Sequence, residues 1–505
     1  MLRHLIGIDI GTTGTKSMLI REDGQVIAHA YQGYPLSSPS VGRSEQNAEA
    51  WWEAVVHTVH DVLAAAPGAA GQVVAISLST QGGTMVPVDQ QGMPLRPAIV
   101  WNDSRCGDQQ RAFEAALGAE RMYHSSGWTL GRGLNALQIA WLRQHEPQVF
   151  EQTAHFLSVH DFLSYRLTGQ RAVDISNAGI NQVADITRKA YDTDILAFCG
   201  VREEQLARLV DSGRPIAPLT VRAAQALGLP QDVLLVAGAH DQYAACVGAG
   251  INRPGRAMIG SGTAWVVTAL GDKADFSRGF AQSRAAVEGL WGSIVSLSTG
   301  GVSLDWLLQS VIGDQPSSAK PDYVRLNEQA AQRPIGGGGL MFFPYFRNAS
   351  FPLPPADWHA SFLGLDLSHD RYSMARAVME GVACHIAWVL EQFPVDDPSA
   401  PVVLSGGAGK SPVWRQLLAD ILGRPLRIPT MADLPCIGAG ILAGLGSGVF
   451  DNPDEALARF SPEEMLIQPD PEHIRTYRDY QQLYRRRAKG LAALYQEPPR
   501  ESRSI

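Results

Sequence analysis

The sequence predicts an α/β protein built from two similar halves, and three observations carry that prediction. The chain has 505 residues, more than one hydrophobic core usually serves, so two large domains are expected. Apolar strand-like runs alternate with amphipathic helical runs, the pattern of α/β domains. Finally, the scheme that opens the chain starts again after Gly250.

The first half opens as three strands joined by tight turns. LIGIDI is apolar except for Asp9, GTTG turns into TKSMLI, and Glu22, Asp23 and Gly24 turn into QVIAHAY. An amphipathic helix follows through NAEAWWEAVVHTVHDVLAAA, with Asn47 as its N-cap. VVAISLS and PAIVWND read as further strands, and DVLLVAGAHDQYAACVGAG as a strand, a glycine-flanked turn and a helix. The second half begins with GRAMIGSGTAWVVTAL, again two apolar strands around a small hydroxyl-rich turn. It continues through GLMFFPYF, a helix over about 373–392, the strand PVVLS and a terminal helix through RTYRDYQQLYRRRAKGLAALYQ. The basic run Arg485 to Arg487 reads as a solvated face and EPPRESRSI as a frayed end. The expected division is 1–247, 248–485 and a tail from 486 to 505. Two such halves would form lobes with a ligand cleft between them.

Composition excludes several classes of function. With 45% hydrophobic and 18% charged residues, the chain is an ordinary globular protein. Its formal net charge of -8 disfavours nucleic acid as a partner. It does not disfavour a nucleotide, whose binding depends on local groups. The five cysteines are scattered without a C-x-x-C pair, which argues for a reduced, cytoplasmic setting and against zinc. The apolar run at the start meets Asp9 too soon for a signal peptide. No stretch of about 18 apolar residues suggests a membrane span. The glycosylation sequon at Asn348 reads as a chance match.

Three turns carry candidate chemistry. In GIDIGTTGTK, Gly11 and Gly14 let the backbone approach a ligand. Thr12 and Thr13 offer hydroxyls and N–H groups to phosphate, Lys16 offers charge, and Asp9 suits Mg²⁺ held jointly with phosphates. The plain alternative is a hairpin turn. GSGTAW repeats the composition at the same place in the second half, with Gly262 and Thr263 as its phosphate contacts. In AGAHDQYAA, Asp241 ends a strand before a helix, where a carboxylate can take a proton from a substrate hydroxyl. Its bland reading is a helix N-cap. His240 is read as structural, because neighbours on a strand do not face each other. SLSTG lacks the first glycine of a serine-hydrolase elbow, and H-E-x-x-H is absent. LSGGAGKSPVW ends like a Walker A loop, but Leu404 stands where the opening glycine should be. Ser411 as N-cap and Pro412 as first helical residue place Lys410 before the helix instead.

GIDIGTTGTK, IVWNDSR, FLSVHDFLSYRLTG, GAHDQ, IGSGTAW, ARAVMEGVA and LSGGAGKSPVWRQLLAD occur in this order. Together they resemble the FGGY family of carbohydrate kinases, through nearly the whole chain. The resemblance implies the two-lobed actin/hexokinase/Hsp70-like ATPase fold, with duplicated ribonuclease-H-like cores closing over ATP and sugar. It implies Asp9 as the Mg²⁺ residue and Gly11, Thr12, Thr13, Lys16, Gly262 and Thr263 at the phosphates. Gly406, Gly407 and Gly409 would lie at the adenosine, and Asp241 would be the general base. Gln81, Gly82, Gly83, Trp101, Asn102, Asp103, Arg105, Asp241 and Gln242 fall at the sugar. Asp103 and Arg105 equally suit an ion pair that fixes their loop. A homodimer is also what the family suggests.

Within the family, SEQNAEAWW, RPAIVWNDSR and RQHEPQVF look most like the xylulokinase branch. The resemblance therefore implies phosphorylation of a ketopentose, D-xylulose first, with ribulose, another ketose or a sugar acid as alternatives. Members of that branch carry Met-His where Gly82 and Gly83 stand here, which is expected to widen that corner. Gln138 replaces a lysine, RNASFP replaces Glu-Arg-Thr-Pro, and GAHDQ replaces Gly-Asp-Asn. Glycerol kinases carry Arg-Glu after the glutamine, and those charges are absent. A nucleotide-dependent binding protein of the same fold, without sugar chemistry, is the alternative from another class.

Overall fold

The computed structural model describes residues 2–131, 133–312, 322–346, 351–353, 359–393, 395, 397–430, 433–460 and 464–496. Asn348, most of the RNASFP segment and the tail beyond 496 lie outside them. The chain forms two compact units that interleave along the sequence. The first comprises Met1–Arg253, Leu270–Ser293 and Met431–Ser461, and the second Pro254–Ala269, Ile294–Thr430 and Pro462–Ile505.

In the first unit a six-stranded sheet runs in the order Pro215–Pro218, Leu234–His240, Val73–Thr80, His4–Ile10, Gly14–Arg21, Val26–Gly33. The chain-opening hairpin is antiparallel, whereas His4–Ile10, Val73–Thr80 and Leu234–His240 are mutually parallel. Such strands are buried on both faces, which is why LIGIDI and VVAISLS read as continuous apolar runs. Asn47 caps the helix Ala48–Ala64 by accepting from the Glu49 N–H. Trp51, Val55, Val59 and Val62 of that helix form one buried stripe against the sheet. A second helix, Leu434–Gly446, packs closely enough that only glycine fits. A Cβ on Gly438 would stand 1.8 Å from the Ala244 carbonyl oxygen, and one on Gly248 would stand 2.1 Å from that of Leu434. The helix that starts at Asp241 is thereby seated by direct backbone contact.

The second unit repeats this topology. Trp265–Gly271, Ala257–Ser261, Val402–Gly406, Leu426–Pro429 and Glu464–Ile467 are neighbours in that order. The hairpin is again antiparallel and the next two pairings parallel. The long helix runs over Arg371–Leu390, two residues earlier than its apolar pattern suggests. The reason is Asp370, whose carboxylate accepts from the Tyr372 and Ser373 N–H groups and so sets the start. PAIVWND shortens to a two-residue strand, Ala98–Ile99, because the Asp103 N–H turns back to the Val100 carbonyl. Among the described residues no helix is long and apolar enough to cross a membrane. The five cysteines are buried free thiols.

Candidate active site

The three parallel strands of the first unit end together. Asp9 pairs with Ser79 and Ile10 with Thr80, while Ala239 pairs with Ser79 and His240 with Thr80. Gly11 to Thr13, Gln81 to Gly83, and Asp241 with Gln242 therefore leave the sheet along one edge. This is the carboxyl edge, where α/β sheets bind ligands. Asp9 is half-buried. Burial pushes its carboxyl up to about 7, against a lowering bond from Ser79 Oγ at 2.7 Å, and the charge of Asp241 raises it further. Lys16 reaches back to form an ion pair with Asp433. Asp433 sits at the start of Leu434–Gly446 with φ 63°, an unusual conformation outside glycine.

Asp241 is the first residue of its helix rather than the cap, a place taken by His240. Gln242 Nε2 donates to Asp241 Oδ1 at 3.2 Å, and His240 Nε2 lies 3.3 Å from the same oxygen. The alternation rule for strand neighbours does not apply to this pair, because the chain bends from strand to helix between them.

The corner at Gln81 to Gly83 is filled rather than widened. A Cβ on Gly82 would stand 2.5 Å from Ile180 Cγ2 and 2.7 Å from His240 Cδ2, and one on Gly83 2.5 Å from Leu134 Cδ2. Gly83 has φ 72°, and Gln138 Nε2 donates to its carbonyl at 3.0 Å. Trp101 is half-exposed and its indole donates to Thr12 Oγ1 at 3.0 Å. Asn102 is exposed beside it. Asp103 is buried and fully engaged: the Ser44 N–H, the Arg105 N–H and both Arg105 Nε and Nη2 donate to it at 2.6–2.9 Å. Arg105 also pairs with Glu45 at 2.8 Å and lies over the Trp141 ring. Asp103 and Arg105 thus form the ion pair that fixes their loop.

In the second unit Ser261 pairs with Gly406 across parallel strands, so the GSGTAW turn and the LSGGAGKS turn emerge side by side. Ser261 Oγ donates to the Ser405 carbonyl at 2.6 Å and accepts from the Ala408 N–H at 3.0 Å. These turns border a cavity of about 410 Å³. Gly262 and Thr263 line one part of it, and Gly407, Ala408, Lys410 and Ser411 another. Leu304, Met379 and Trp414 give it apolar walls, while Asp305, Tyr323 and Asn327 add polar groups. Apolar walls with few polar groups suit a purine and ribose. Ser411 caps the helix Pro412–Leu422, as read from the sequence. Gly406 and Gly409 do not line the cavity; Gly406 instead touches the Ser261 backbone, where a Cβ would stand 2.4 Å from its oxygen.

Residues 4–248 match the model of the N-terminal domain of FGGY carbohydrate kinases, and residues 257–447 that of the C-terminal domain. The chain belongs to the FGGY family of carbohydrate kinases. The xylulose kinase of Escherichia coli (strain K12) is 30% identical over 97% of this kinase and 99% of its own length. The xylulose kinase of Bacillus subtilis (strain 168) is 28% identical over 96% of each chain, and the gluconokinase of the same strain 26% identical over 90% of each. Among solved structures, the xylulose kinase of Rhodospirillum rubrum superposes with a TM-score of 0.91 at 26% identity, over 98% of this chain and 100% of that one. A glycerol kinase of Plasmodium falciparum solved with ADP gives 0.87 at 18% identity over 97% and 98%, a likeness of fold.

The protein is therefore a sugar kinase with the two-domain actin/hexokinase-like fold, and kinases of this family take ATP as phosphate donor, generally with a divalent metal. Several site residues were not legible in the sequence. Gln46 stands far from Gln81 in the chain, yet its side chain meets both Gln81 and the Thr12 carbonyl. Asp433 reaches Lys16 from more than 400 residues away. Asn327 donates no motif, although Ser411 Oγ is bonded to it at 2.7 Å in the cavity wall. Long-range partners leave no local spacing to read.

Proposed function

We infer that this kinase transfers the γ-phosphate of ATP to a hydroxyl of a ketopentose, converting D-xylulose to D-xylulose 5-phosphate. The observation that carries the chemistry is the shared carboxyl edge. It gathers Asp241, Asp9, the Gly11 to Thr13 turn and the Gln81/Trp101 corner in one unit. D-xylulose comes from the xylulose kinases among the full-length relatives.

Asp241 is assigned as general base. With Gln242 and His240 both at Oδ1, its Oδ2 is the oxygen that takes the proton from the attacking hydroxyl. Gln81 and Trp101 orient the sugar. Gly11, Thr12 and Thr13, with Gly262 and Thr263, bind phosphate oxygens. The cavity at Gly407 to Ser411 holds the nucleoside. Asp9 fits a magnesium ion held jointly with nucleotide phosphates: it carries a carboxylate whose charge burial and Asp241 disfavour. Among the described residues no group of three His, Cys, Asp or Glu could hold a metal unaided, so phosphate oxygens would complete the shell. Bound there, the ion would offset negative charge on the phosphates.

The test is an ADP-release assay over ketoses, polyols and sugar acids. D-xylulose should give the highest kcat/KM. A sugar acid at the top would transfer the assignment to the gluconokinase side of the family, and a polyol would refute a ketose acceptor.

A further inference from the structure

Gln46 is buried at 1% exposure and bonds to neither carboxylate of the sheet edge, yet three hydrogen-bonding groups, from Thr12, Trp51 and Gln81, converge on its amide. Their polarity can be worked out from residues that only donate or only accept. Trp51 Nε1 can only donate, and it meets the Gln46 amide at 2.9 Å, so the atom it meets is Oε1. Gln46 Nε2 then faces the Thr12 carbonyl, a pure acceptor, at 2.6 Å. Both ends of the amide agree. Gln81 Nε2 donates to the same Gln46 Oε1 at 3.2 Å and to the Gly11 carbonyl at 3.4 Å. That turns Gln81 Oε1 towards the hydroxyls of Thr12, at 3.1 Å, and Thr84, at 3.4 Å. From the other side the Trp101 indole, again only a donor, meets Thr12 Oγ1 at 3.0 Å. The Thr12 hydroxyl therefore accepts from Trp101 and gives its single proton to Gln81.

A phosphate oxygen accepts hydrogen bonds and needs that proton. We propose that Gln46 is a positioning residue that couples the sugar corner to the first phosphate turn, holding the Thr12 hydroxyl turned away from phosphate until a sugar hydroxyl claims Gln81 Oε1. This rests on the assignment of Gln81 and Trp101 to the sugar and of Thr12 to phosphate. A sugar hydroxyl that donates to Gln81 Oε1 displaces the Thr12 proton, and the freed hydroxyl rotates to donate to phosphate. Sugar and nucleotide then strengthen each other's binding by the same factor, since coupling between two sites is reciprocal. Two variants isolate the device. Gln46→Glu keeps the shape and the acceptor but cannot donate to the Thr12 carbonyl. Trp51→Phe keeps a ring against Phe162, which Trp51 meets edge-on at 5.9 Å, and removes the donor that fixes the Gln46 amide together with some buried ring volume, a packing loss that the ratio of affinities does not register.

The experiment is calorimetric titration of the full chain with a magnesium complex of a non-hydrolysable ATP analogue, with and without saturating D-xylulose. Wild type should bind the analogue about tenfold more tightly with sugar present, within the usual range of coupling between sites. Gln46→Glu, and independently Trp51→Phe, should bring that ratio to within about twofold of unity while the thermal transition remains cooperative. A purely structural role would weaken both affinities and leave their ratio unchanged. An unchanged ratio in both folded variants, or a wild-type ratio of one, overturns the proposal. If D-xylulose does not bind wild type, the substrate assignment fails instead, and the same ratios are read with the sugar that supports turnover.

Discussion

Lys410 shows how a residue's letters and its position can disagree. Gly409, Lys410 and Ser411 spell the end of a phosphate loop, but Leu404 is a buried strand residue and Ser411 is spent on capping a helix by accepting from the Trp414 N–H. Lys410 lines the cavity beside Ala408 as the last residue of the one-turn helix Gly407–Lys410, outside the first turn of Pro412–Leu422, where a phosphate-loop lysine would belong. Lys410→Ala should therefore reduce kcat/KM only a few-fold, whereas a loss of more than about a thousandfold, about 4 kcal/mol, would restore the phosphate-loop reading. Gly82 carries the opposite lesson. Its missing side chain suggests added room, but the space belongs to His240 and Ile180. Gly82→Ala should destabilise the fold by about 1–3 kcal/mol through overpacking. Thermal unfolding with His240→Gly as the second mutation checks the cause, because that change should relieve part of the loss.

At the scale of elements, the strands and helices around the site were legible because each carries a local signal. Parallel strands buried on both faces read as unbroken apolar runs, and Asn47 and Ser411 announce their helices. The start of Arg371–Leu390 was not placed correctly by hydrophobic spacing, since a cap and not a contact defines it. Asp370→Ala should cost about 1 kcal/mol of stability. Arg333 beside Asp370 holds its carboxyl far below the usual carboxylate range. A carboxyl depressed in the folded state stabilises above its unfolded value and loses that contribution as pH falls through the folded one. The gap in melting temperature between wild type and Asp370→Ala should thus persist at neutral pH and narrow below about pH 4. A gap that widens in acid would contradict this sign.

On the scale of the whole molecule, the duplicated hairpin-plus-parallel topology was visible as two matching Gly/Thr turns 250 residues apart. The interleaving was not. Residues 431–461 return to the first unit, and the helix Leu434–Gly446 seats the Asp241 helix through contacts at Gly248 and Gly438 that no spacing rule encodes. Such close backbone contact fixes where the Asp241 helix begins, and the proposed role of Asp241 as general base depends on that positioning. Asp241→Asn keeps the size and the position of that side chain while removing its basicity. Steady-state ADP release by this variant, with nucleotide binding measured in parallel, tests the account most directly. The expected result is a fall in kcat of about 10²–10⁴-fold with nucleotide affinity within a few-fold of wild type. Turnover at the wild-type rate would contradict the assignment of Asp241 and the mechanism built on it.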